Sequence, residues 1–200
     1  LAARLKRRDV GLEIVHEVAR RCPLPINSVT TAEAQRWILH TQIAEEILAA
    51  ARYPVVLCDR SVLDNYVYFL LAAEPDPALD RLVSDWLGGY DLLIQVPILA
   101  APQADGIRAA DPTFQRAVDE RLRLEVAARG IATLDLEASR SADWLEQVVA
   151  TPMRAALSVA KPMAAPPSAV ITDHNASPKA IIFLRETKSE IRPMAIPTIE

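Results

Sequence analysis

Asp59, Arg60 and Ser61 follow the short apolar run Val55-Val56-Leu57-Cys58. A carboxylate beside a guanidinium suits phosphate chemistry. The acid orders magnesium or accepts a proton from an attacking hydroxyl, and the guanidinium clamps a phosphoryl group. The plainer reading is that Asp59 caps the next helix and Arg60 is a surface charge. Setting favours the chemical one, because ligands of an open α/β sheet gather beyond the carboxyl ends of its strands. The glycine-rich phosphate cradle that such a strand usually serves, G-x-x-x-x-G-K-[ST], occurs nowhere in the 200 residues.

Two further clusters have chemically useful types. Glu17-Val18-Ala19-Arg20 leaves an earlier strand-like segment, so Glu17 and Arg20 either face the same crevice as Asp59 or are solvated loop charges. Asp105-Gly106-Ile107-Arg108-Ala109-Ala110-Asp111 is a glycine-containing loop; as a mobile lid it would place Arg108 on a transferred phosphate, and as a plain surface loop it would not. Arg116, Asp119, Arg121 and Arg123 read as a solvated helix face. Tyr66 lines a substrate pocket or packs in the core; Trp37, Trp86 and Trp144 read as packing anchors. His16, His40 and His174 have no partners at ligand spacing, which argues against a histidine metal site or triad.

These residues need elements to hold them. The chain opens in a helical pattern whose basic end, Lys6-Arg7-Arg8, suits a helix C-terminus, so residues 1–8 read as the tail of a longer helix stopped at Gly11. Residues 12–18 alternate like a strand. Thr30 and Glu33 form an expected capping box for a helix with Ala34, Trp37, Ile38, Thr41, Ala44, Ile47, Leu48 and Ala51 on its apolar face, ending before Pro54. The strand 55–58 and a helix of about 62–73, with Ser61 as N-cap and Asp64 favouring its N-terminus, follow. After Pro75 and Pro77 come a short helix at 78–87, a strand at 90–96, a helix from Asp111-Pro112 to about 129 stopped by Gly130, a strand at 131–136 and a helix at 141–159 broken at Pro152. Strands alternating with helices at this spacing indicate an α/β protein with a mainly parallel sheet. Residues 1–159 form the expected domain; the Pro/Ala-rich 160–200, with apolar runs only at 169–171 and 180–184, read as a linker and weakly ordered tail.

Composition narrows the class. A net charge of −4 gives no field for general binding of nucleic acid or an anionic membrane surface. No apolar run is long enough to span a bilayer as a helix. The basic start has no signal-peptide h-region after it. Cys22 and Cys58 are too few for a disulfide framework and read as reduced thiols of a cytoplasmic protein.

The order Glu17-Val18-Ala19-Arg20, then Gln35-Arg36 and Gln42-x-x-Glu45, then Val56-Leu57-Cys58-Asp59-Arg60-Ser61-x-x-Asp64 resembles the NadR-type AAA domain. That is a group of P-loop NTPases related to nucleoside and nucleotide kinases such as thymidylate kinase. Asp105–Arg108, Asp111 and the 114–119 pattern resemble the lid of the same group, and the likeness covers about residues 1–150. The resemblance implies a three-layer α/β/α sandwich, binding of ATP or GTP with Mg2+, and phosphoryl transfer to a small acceptor. Asp59 would be the metal and cofactor residue, Asp59, Arg60 and Arg108 would carry catalysis, and Glu17, Arg20 and Tyr66 would lie near the acceptor. The family's first strand and Walker A loop would fall just before Leu1, so this chain resembles a domain whose first strand is missing. By that reasoning the neighbours of the central missing strand lose a hydrogen-bonding partner, and the chain alone is a poor catalyst. Two readings therefore stand: the bulk of an ATP-dependent kinase or NTPase, or a non-catalytic binding module on a degenerate kinase scaffold.

Overall fold

The chain alternates strands and helices, and the computed structural model shows how they assemble; it describes residues 1–26, 29–99, 112–151 and the backbone of 180–184. In chain order these are α1 (Ala2–Lys6), β1 (Leu12–Val15), α2 (Ala32–Arg52), β2 (Val55–Cys58), α3 (Val62–Ala72), α4 (Pro77–Leu87), β3 (Leu92–Gln95), α5 (Pro112–Ala128), β4 (Thr133–Asp135), α6 (Trp144–Ala150) and β5 (Ala180–Leu184), with 3₁₀ turns at Val18–Arg21 and Ala138–Asp143. The strands make one sheet in the order β1-β2-β5-β3-β4, every pair parallel. The fold is α/β with a wholly parallel sheet, as the alternation predicts.

Parallel β2 is buried along its whole length, and its residues divide between two cores. Val56 and Cys58 join Val15, Leu39, Leu63, Phe69, Val83, Leu93 and Val118, which brings α2, α3, α4 and α5 to one face. Val55 and Leu57 join Leu5, Leu12, Ile94, Leu136 and Val148, which brings α1 and α6 to the other. This two-sided burial is why the strand reads as a continuous apolar run and not an alternating one.

Local chemistry sets several boundaries. Ser61 and Asp64 form a reciprocal capping box at α3, and Asp76 caps α4 with Pro77 at its first position. Gly130 stops the chain after α5 at φ +61°, as its position suggests. The α1 stop is Asp9, not Gly11: Asp9 takes φ +59° and Val10 N–H donates back to Leu5 C=O at 3.2 Å. The α2 cap is Thr31, whose hydroxyl accepts from Ala34 N–H at 3.2 Å, while Thr30 Oγ1 accepts from the Gln35 side chain at 2.7 Å. The expected strands at 12–18, 90–96 and 131–136 are shorter.

The buried face of α2 also differs from the expected one. It is Ala34, Gln35, Ile38, Leu39, Gln42, Glu46 and Ala49, whereas Ile47 and Leu48 are exposed. Polar side chains hold inward positions there, so a count of apolar periodicity rotated the face toward Ile47 and Leu48.

The largest correction concerns residues 180–184, expected to be part of a weakly ordered tail. They form β5, in register with β2 (Leu57 beside Ile182) and β3 (Leu93 beside Phe183). The sequence run is apolar and β-branched, but the Pro/Ala-rich stretch before it obscured its role. Nor do the inner strands lack a partner, as the missing-strand reasoning required, because β2 and β3 both pair with β5.

Candidate functional site

Because every strand runs the same way, their carboxyl ends share one edge of the sheet. Val15 is in register with Cys58, and Asp59 N–H continues the ladder by donating to Val15 C=O at 2.8 Å. Glu17 and Asp59-Arg60 therefore leave neighbouring strands side by side.

Arg60 turns the chain from β2 into α3 at φ +106°, a conformation that costs a side-chain-bearing residue on the order of 1–3 kcal/mol. Surrounding contacts hold it there. Its carbonyl accepts from Gln42 Nε2 at 3.0 Å, and Ser61 begins the capping box immediately afterwards. Its guanidinium donates from Nε to Glu17 Oε1 at 2.8 Å and from Nη1 to the Tyr68 hydroxyl at 3.3 Å, and lies 5.3 Å from the centre of the Tyr68 ring. Burial opposes the charge, but Tyr68, Glu17, Asp64 and Asp59 outweigh it and hold the guanidinium pKa above the ordinary arginine value.

Glu17 is 8% exposed and serves two cations at once. Oε1 takes Arg60 and Oε2 takes Arg20 Nε at 2.9 Å. Arg20 reaches Glu17 from the 3₁₀ turn that follows β1, and its side chain is 37% exposed. Asp59 is half-buried beside this bridge. Four sequence-predicted residues, Glu17, Arg20, Asp59 and Arg60, thus meet at one edge. Such an arrangement can present two guanidiniums and a carboxylate to an anionic ligand and its metal.

Tyr66 is placed elsewhere. It is 2% exposed, stacks on Phe69 with ring centres 6.1 Å apart, and lies under the Arg129 guanidinium at 5.4 Å. Burial and a hydrogen bond to Asp80 push its phenol up to about 12. It belongs to the α3–α4–α5 core, and Tyr68, two residues on, is the tyrosine that touches Arg60. Arg108 and the rest of its loop lie outside the described residues, as does His174. Glu45, quoted from the motif, pairs with Arg21, and the neighbouring Glu46 is the acid inside the fold.

Sequence reading quoted Gln42 in the motif without giving it a role, gave Tyr68 none, and passed over Glu46. Gln42 and Glu46 sit one helical turn apart, both fully buried, and Gln42 Nε2 donates to Glu46 Oε1 at 2.7 Å. Glu46 also accepts from Trp86 Nε1 at 2.6 Å and from the Tyr90 hydroxyl at 3.0 Å. Burial raises the Glu46 pKa against the opposing pull of Trp86, Gln42, Tyr90 and Cys58. The available signal was a polar pair at i and i+4 in line with Ala34, Ile38 and Ala49.

The described residues include no cluster of three or more His, Cys, Asp or Glu suited to hold a metal ion. A lone aspartate is still adequate for magnesium that draws its other ligands from phosphate oxygens and water. No helix among the described residues is long and apolar enough to cross a membrane.

A family model described as an AAA domain matches residues 1–144. The chain belongs to that AAA-domain family, a P-loop NTPase-like class of nucleotide-binding proteins. No curated protein matches the chain.

Proposed function

We propose that this chain provides the metal and acceptor side of an ATP-dependent kinase or NTPase of the NadR type, transferring a phosphoryl group to a small molecule. The observation that carries this reading is the meeting of Glu17, Arg20, Asp59 and Arg60 at the carboxyl edge of a parallel sheet. The apolar clusters on both faces of β2 support a three-layer sandwich behind that edge.

Bound MgATP would supply the phosphoryl group and the metal charge. Asp59 would hold Mg2+, with phosphate oxygens and water completing its shell. Arg60, kept in place by Glu17 and Tyr68, would lay its guanidinium on the phosphate edge, and Arg20 would offer the more exposed cation to the acceptor. Arg108 is the proposed lid cation. Phosphoryl transfer is mainly positioning and charge stabilisation. Without a G-x-x-x-x-G-K-[ST] cradle the 200 residues alone would be slow.

Both guanidiniums at this edge are already bound to Glu17, which favours a second reading, a non-catalytic binding module on the same scaffold. Calorimetric titration with ATP, with and without Mg2+, separates the two. Magnesium-dependent ATP binding lost in Asp59→Asn supports the first. Equal heats with and without ligand at millimolar ATP would leave the second. Acceptor screening among nucleosides, nucleotides and sugar-like or pantothenate-like compounds follows from a positive result.

A further inference from the structure

The strained Arg60 turn is bracketed by two struts that end on one carboxyl group. On the first, Gln42 Nε2 is shared between Glu46 Oε1 at 2.7 Å and the Arg60 carbonyl at 3.0 Å. On the second, the Tyr90 hydroxyl accepts from Val62 N–H at 3.1 Å and has its single proton to give, which Glu46 takes at 3.0 Å. Val62 opens α3, so its N–H has no partner within the helix, and Tyr90 supplies the acceptor. The struts therefore grip the residues that begin and end the Arg60-Ser61-Val62 turn, and Glu46 is the anchor of both.

We propose that Glu46 is a positioning residue: through Gln42 and Tyr90 it holds the Arg60 turn in the strained conformation that presents Asp59 and Arg60 at the sheet edge. The functional consequence rests on the nucleotide-binding reading above; the positioning itself does not. Donor counting explains why an acid is needed at this place. Gln42, Trp86, Tyr90 and the Cys58 thiol all point hydrogen at Glu46. An ionised carboxylate accepts from them all, which leaves the Tyr90 lone pair for Val62 and the Gln42 amide for Arg60. A protonated or amidated side chain must instead donate. The buried Gln42 Oε1, which has no hydrogen-bond partner among the described residues, is the acceptor within reach of an amide flip. That flip turns Gln42 Nε2 away from the Arg60 carbonyl and releases the first strut.

The test compares the full chain with Glu46→Gln, Gln42→Met and Tyr90→Phe, by residue-resolved amide exchange and by MgATP titration. In Glu46→Gln, exchange at Ser61 and Val62 is expected to rise at least tenfold while protection at Leu122 and Val126 in α5 is unchanged. MgATP binding is expected to weaken at least tenfold, with little further loss when Arg60→Ala is added. Wild-type protection at Val62, corrected for intrinsic exchange, is expected to fall as pH is lowered and Glu46 protonates, and to fall less in Glu46→Gln. The groups that face Glu46 are Gln42 from α2, Cys58 from β2, Trp86 from α4 and Tyr90 ahead of β3; the Asp64 carboxylate that caps Ser61 in the same turn is common to both chains, so the difference between them reports Glu46. Unchanged Val62 protection in folded Glu46→Gln overturns the proposal. Should that variant not fold, unchanged Val62 protection in Tyr90→Phe overturns it equally. A wild-type chain that ignores MgATP defeats the nucleotide reading and leaves the exchange result to decide the positioning role.

Discussion

Arg60 Nε lies 2.8 Å from Glu17 Oε1 across 43 positions of sequence, and the pair ties the end of β2 to the end of β1. Neither strand makes a site alone. Their parallel register brings the two ends level, and the ion pair fixes a cation that the positive φ at Arg60 has already swung out of the strand.

Neutralising this anchor should therefore cost more than an ordinary surface pair. Glu17→Gln leaves two guanidiniums facing a weaker acceptor at a position only 8% exposed. The expected loss is about 1–3 kcal/mol of unfolding free energy in urea. Arg20→Ala removes the partner that is 37% exposed and should cost less than about 1 kcal/mol. Equal losses for the two would show that Arg60 gains nothing from Glu17.

The two cysteines should separate cleanly. Cys58 is buried in β2, and burial, with Glu46 beside it, pushes its thiol well above the ordinary range. Cys22 is half-buried in a loop. A thiol reagent at neutral pH should label one site promptly and the second only on unfolding, since thiolate and access are both required. Mass mapping should place the first label on Cys22.

Arg129 joins α5 to α4 by pairing with Asp80 and, at 3.0 Å, with Glu125. The Arg129 guanidinium holds the Asp80 carboxyl below its usual value of 3.8. A depressed carboxylate pKa contributes stability that is present above the unfolded value and lost as pH falls through the folded one. The window thus lies below about pH 3.8. Asp80 is 46% exposed, so solvent screening keeps its share under about 1 kcal/mol. Asp80→Asn should flatten the acid limb of the stability curve measured by urea titration at stepped pH. Arg129→Ala should cost about 1–2 kcal/mol, because the contact with the Tyr66 ring goes too.

Much of this architecture is legible in the sequence. The run Val55–Cys58, the Ser61 cap and the stop at Gly130 are local signals, and local chemistry decides them. The convergence of Glu17 with Arg60 was half-legible: strand ends in a parallel sheet share an edge, but which side chains meet depends on register. Tyr68 over Tyr66 was not legible, because the choice rests on how α3 is rotated against α5, where Tyr68 meets Phe114 at 5.9 Å. Glu46 was hidden by its own exception to the rule. A buried acid on a helix face looks like a solvent-facing residue until its donors, drawn from α4 and the segment before β3, are in place.

β5 was the least legible element and gives the sharpest test of the fold. A strand between two parallel neighbours contributes hydrogen bonds to both, and proline there removes a donor with no solvent to replace it. Ile182 is level with Leu57 on one side and Leu92 on the other. Ile182→Pro should thus destabilise the chain by on the order of 3 kcal/mol, close to the limit of a marginally stable domain. A chain ending at Val159 should go further, with β1-β2 separated from β3-β4 and no single cooperative transition in thermal circular dichroism. If that shortened chain melts as sharply and at the same temperature as the full one, β5 is dispensable and residues 1–159 form the self-sufficient domain the sequence suggested.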